Sequence, residues 1–135
     1  MVFNDFRVNV LVWRNLLVSA WRFSCDESDA NCAHMLLKEA LKRGLTERQE
    51  LKGRTLCDWP KRNKSPEWAC IAAFYLLLEI HYLPDKDECL AAFVFFWLSE
   101  KKCDSAEIAM ENFPDHLKVS FPDRVDFWIN SFFNI

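Results

Sequence analysis

The sequence predicts an all-α fold: a single compact domain over residues 1–135, with about six helices around a central apolar αα-hairpin. Three observations carry this expectation. Gly44 and Gly53 are the only glycines, whereas strand-rich folds place glycine at many turns. Apolar residues recur at three- and four-residue steps over long windows, which is the helical period. Two long apolar runs carry helix-type ends, with caps or acids in front and a proline or lysines behind. A chain of 135 residues buries roughly two thirds of its unfolded surface, so a core needs no metal or disulfide to support it.

The first element is read from VFNDFRVNVLVWRNLLVSAWRF. Phe6, Val8, Val10 and Val12 alternate as in a strand, but Phe3, Phe6, Val10, Trp13, Leu17 and Trp21 form one helical stripe over the longer window. The longer pattern predicts a single amphipathic helix. Asn4, Asn15, Ser19 and Arg22 lie opposite the stripe, and Val8 and Val12 are its exceptions. Ser28 or Asp29 caps the second helix. Its apolar face is Ala33, Leu36, Leu37, Ala40 and Leu41. Lys38, Lys42 and Arg43 suit its C-terminal dipole, and Gly44 stops it in a left-handed turn.

Thr46 with Gln49 forms a capping-box pattern, which predicts a short helix ending near Gly53. Residues 53–65, GRTLCDWPKRNKS, carry Pro60 and several cations and predict a basic loop. Ser65-Pro66-Glu67 announces a helix over WACIAAFYLLLEIHYL. Pro84-Asp85 stops that helix and caps the next, DKDECLAAFVFFWLSEKK. Joined by about three residues, the two make an αα-hairpin. Each is apolar all round and must be covered on most sides. The run from Cys89 to Leu98 is about half the length that spans a bilayer, and Glu79 interrupts the other run, so no membrane span is expected. Asp104 with Glu107 starts a further helix that ends at Phe113-Pro114. Ser120-Phe121-Pro122-Asp123 opens the last one, RVDFWINSFFNI, which is aromatic enough to be tied into a core or an interface.

Charge divides the chain. The net charge is -3, yet residues 38–64 carry a net +5 and residues 65–135 a net -7. An acidic C-terminal half repels nucleic acid and attracts a basic partner. The six cysteines, at 25, 32, 57, 70, 89 and 103, form no C-x-x-C pair. No apolar h-region precedes a small-residue cleavage site. A cytoplasmic protein with reduced, buried, inert thiols is expected. Cys32 with His34, and His81 with Cys89, match no zinc-ligand spacing, so no metal or other cofactor is expected. Both histidines are expected to serve in the core or as caps. There is no G-x-S-x-G and no H-E-x-x-H.

These features favour a non-enzymatic protein-binding module. Trp97, Trp128 and Phe133 are of the aromatic type that anchors interfaces. The profile is similar in type to bacterial immunity proteins and phage-encoded inhibitors, which cover the basic active site of a toxin or host enzyme, although no stretch carries a family motif. It implies an inhibitor whose partner-binding residues are Glu107, Glu111, Asp115, Asp123, Asp126 and Trp128. Two alternatives stand beside it. One is a homo-oligomeric scaffold, a homodimer in its simplest form, joined through the hairpin and last helix. The other is a small helical enzyme with a Cys–His or carboxylate site.

Overall fold

The computed structural model describes residues 2–133, and their side chains from Phe6 onward. The described residues form nine helices and no strand: α1 (Val2–Trp13), α2 (Asn15–Ser24), α3 (Asp29–Lys42), α4 (Gly53–Lys61), α5 (Glu67–Glu79), α6 (Asp87–Lys101), α7 (Ala106–Asn112), α8 (Asp115–Ser120) and α9 (Pro122–Phe132). The all-α expectation holds, and the helices outnumber the six expected. The chain divides into two compact units, Met1–Trp13 with Leu83–Ile135, and Arg14–Tyr82.

The expected N-terminal helix is two helices. Arg14 keeps helical dihedrals and Leu17 N–H donates to its carbonyl at 3.1 Å, yet α1 ends at Trp13 and α2 begins at Asn15. The packing explains the break. α1 lies on α6 and α9, whereas α2 lies on α4 and α5. The apolar stripe is thus shared between two cores, with Phe6 and Val10 buried in one and Leu17 and Trp21 in the other. Val8 and Val12 remain on the outer face of α1. The side chains of Phe3 and Asn4 lie outside the described residues. Asn15, expected on a polar face, is buried, and its Oδ1 accepts the Ser65 N–H at 2.9 Å.

In the 14–82 unit, Ser28 caps α3 by accepting the Asn31 N–H at 3.1 Å, as its sequence position predicts. Gly44 takes a φ of +71°, and the Leu45 N–H returns to the Ala40 carbonyl. On α3 the buried Glu39 is satisfied by Arg43 and Lys42, and the Arg43 guanidinium lies 3.5 Å from the centre of the Tyr75 ring. Buried carboxylates survive only when paired in this way.

Two local expectations fail here. Residues 45–52 are not helical. The Thr46 hydroxyl accepts the Arg48 N–H, and the Gln49 amide donates to the Glu47 carbonyl, so both capping side chains close tight turns instead. The expected basic loop is largely helix α4. Leu56 is fully buried and anchors it. Pro60 sits in its last turn, where only one hydrogen bond is lost. Trp59 meets the Trp68 ring edge-on at 5.7 Å. Gly53 is required at its start: an added Cβ would lie 2.7 Å from the Asp29 carbonyl carbon and 2.8 Å from the Ala30 nitrogen.

The central hairpin is not formed as expected. α5 ends at Glu79, α6 begins at Asp87, and the two helices belong to different units. His81 takes a φ of +55° just past α5 and is exposed there, and His34 is exposed on α3, so neither is a core histidine. Lys86, rather than Asp85, holds the N-cap position of α6. Ser65 does not cap α5, whose N-cap position is Pro66.

The CLAAFVFFWL run nevertheless finds cover. In its own unit α6 is flanked by α1 and α9, and Phe93, Val94 and Ala91 are fully buried. Phe95 meets Phe6 at 6.1 Å and Phe132 at 5.7 Å, both edge-on. Each fully buried side chain of this size contributes about 1.5–3 kcal/mol. No helix among the described residues is long and apolar enough to cross a membrane.

Candidate functional site

The unit containing α6–α9 positions most of the acidic side chains singled out from the sequence. Its frame is a clamp between α6 and α9. Asp87, the first residue of α6, accepts Arg124 Nε at 3.0 Å on Oδ1 and Arg124 Nη2 at 2.7 Å on Oδ2. The Trp128 indole N–H donates to Asp87 Oδ1 at 3.1 Å. The Arg124 hydrogen bonds, reinforced by the indole, hold the Asp87 carboxyl below the usual aspartate range against the opposing effect of burial. Trp128 also packs on Phe6 at 5.1 Å and Trp13 at 5.6 Å. With 8% of its surface exposed, Trp128 faces the core. From there it orients α9 through its bond to Asp87.

With α9 fixed, Asp123 and Asp126 project outward. α7 packs against α9. Ser105, not Asp104, caps α7 by accepting the Ile108 N–H at 3.3 Å. The α7 helix carries Glu107 and Glu111 one turn apart on one face, a like-charge spacing that costs an isolated helix a few tenths of a kcal/mol. The two helices enclose an open groove of about 440 Å³ lined by Ala106, Glu107, Met110, Glu111, Asp126 and Asn130. Among the described residues, no lysine or arginine lines it. The Asn130 amide donates to Asp126 Oδ2 at 3.4 Å.

The expected set therefore separates. Glu107, Glu111 and Asp126 converge on one groove. Asp123 is exposed one turn before Asp126 on α9, outside the groove lining. Asp115 lies on α8 and pairs with Lys118 at 3.5 Å, and Lys118 Nζ also donates to the Glu111 carbonyl at 3.2 Å. Of the other aromatics, Trp97 is half-buried between Phe113 and Lys101, and Phe133 is half-buried against Phe132. Sequence reasoning missed Asp87 and Arg124, because 37 residues separate the pair and an acid at a helix start has an ordinary local explanation.

The six cysteines are free. Burial pushes Cys70 and Cys89 up to about 12, and Cys32 up to about 11, which leaves little thiolate near neutrality. Cys57 and Cys103 are half-buried rather than buried as expected, and both are raised, chiefly by burial. Among the described residues, no three His, Cys, Asp or Glu side chains gather as a metal site. Comparison with protein-family models, with curated proteins and with solved structures finds no match to this chain.

Proposed function

We propose that this protein is a non-enzymatic binding module, acting in the cytoplasm as an immunity-like inhibitor that neutralises a basic toxin or enzyme by covering it. The observation that supports this reading is the convergence of Glu107, Glu111 and Asp126, from two helices, on a groove that no lysine or arginine among the described residues lines. Carboxylates left without counter-charges raise the local negative potential and steer a basic partner into place. Asp123 extends the same potential along α9. Met110 and Ala106 give the groove an apolar floor suited to the stems of lysine or arginine.

Such complementarity acts mainly on association rate and on exclusion of wrong partners. The test is affinity capture from the native host with the wild-type chain and with Glu107→Lys/Glu111→Lys/Asp126→Lys, followed by assay of the captured protein. A stoichiometric basic partner whose activity falls on adding the wild type is expected. Its association should slow by about tenfold or more in the variant, and wild-type association should slow as salt rises. A partner that keeps its activity when saturated would remove the inhibitory reading. Association insensitive to both reversal and salt would remove the groove from it.

A further inference from the structure

Phe23, next to last in α2, is 91% exposed, more than any other large apolar side chain among the described residues. It stands on the rim of a hollow of about 480 Å³ in the 14–82 unit, which is large enough to admit an aromatic side chain. Ser19, Arg22 and Asp29 line one part of this hollow, and Cys57, Pro60 and Lys61 of α4 line another. Its strongest polar groups already satisfy each other. Arg22 Nε donates to Asp29 Oδ1 at 2.6 Å, and Arg22 Nη1 reaches the Cys25 carbonyl at 3.3 Å. With those groups satisfied, the hollow can take an apolar occupant, and an exposed ring projects beside it.

Charge indicates whose ring. The turn that follows Phe23 carries Asp26 and Glu27, both exposed. The α4 side of the hollow carries Arg54 and Lys61 on the same helix face as Cys57, and Arg62 follows at the helix end. Among the described residues none of these five has an ion pair within 4 Å. The patch thus holds a knob beside acids and a hole beside bases. A surface that contains both halves of its own complement is what a two-fold contact requires, because each residue of one copy meets its counterpart's partner in the other.

We propose that Phe23 and the adjoining hollow form a symmetric docking surface for a second copy of this chain. Phe23 of each copy enters the hollow of the other, and the Asp26–Glu27 turn of each faces the Lys61–Arg62 end of α4 of the other. This surface lies in a different unit from the acidic groove and does not depend on the inhibitor reading.

Sedimentation equilibrium of the full chain over a concentration series tests it. A monomer–dimer equilibrium is expected for the wild type. Phe23→Ser should weaken it at least about thirtyfold, the size of an interface hot spot, with an unchanged melting temperature at concentrations where both proteins are monomeric, because the ring is exposed in the monomer. Asp26→Lys/Glu27→Lys and Lys61→Glu/Arg62→Glu should each be monomeric alone. Mixed in equal amounts they should form a heterodimer, since both knob–hole contacts then join opposite charges. A wild type that stays monomeric throughout its soluble range would overturn the proposal. So would a Phe23→Ser dimer of wild-type strength, or mixed variants that do not associate.

Discussion

The two glycines show how differently one residue type is used. At Gly44 the backbone needs a left-handed φ but has open space around it. Gly44→Ala should cost about 1 kcal/mol from backbone strain alone. At Gly53 the dihedral is ordinary and the space is absent, with backbone atoms of Asp29 and Ala30 in the way. Gly53→Ala should cost more, about 1–3 kcal/mol, because a rigid neighbour must shift. Denaturant unfolding of the two variants checks this order. Gly44 was legible as a helix stop, since it follows an apolar period and basic residues. Gly53 was not, since a close approach depends on a helix far along the chain. Asp87 is equally illegible and has its own test. Its carboxyl is held below the ordinary value, so its contribution to stability is complete above about pH 4 and is lost as acid titrates the folded form. The Asp87→Asn variant should lose less stability than the wild type below pH 4. The difference should be at most about 1 kcal/mol, because the pair is partly exposed and screened.

At the scale of elements, α3, α5, α6 and α9 could be read from the sequence because apolar residues ran for ten or more positions between start and stop signals of the helical type. α4 could not. Its cations and Pro60 outweighed its few apolar residues in the sequence, whereas in the fold one of them, Leu56, is fully buried between α4 and its neighbours α2 and α3. Leu56→Ala should cost about 2–5 kcal/mol and should raise amide exchange over residues 53–61 most. Uniform acceleration across the chain would mean that α4 has no local stability of its own. α8 escaped notice because six residues are too few for a period to show. The groove was legible in its parts, since the acids of the last third stood out by charge. That Glu107, Glu111 and Asp126 share one groove while Asp115 pairs locally depended on how α7 meets α9.

At the scale of the whole molecule, the fold guards its thiols. Cys32, Cys70 and Cys89 are almost wholly enclosed and raised well above neutrality. Cys57 and Cys103 are half-exposed. A neutral thiol alkylating reagent at pH 7 should therefore modify Cys57 and Cys103 of the dilute, monomeric protein first, as intact-protein mass would show. Cys32, Cys70 and Cys89 should follow only at the rate of unfolding. Early modification of any of these three would mean that the core opens locally.

The unit closed by α6 and α9 takes its first helix from the other end of the chain, with residues 14–82 intervening. On the ribosome α1 emerges long before the helices that cover it. At a synthesis rate of about 5–20 residues per second, translating those 69 residues alone takes roughly 3–14 s. The 14–82 unit has all its helices by then and can settle while translation continues. Meanwhile Phe6 and Val10 have no native neighbours, so during this interval α1 is a candidate client for whichever chaperone meets nascent chains first.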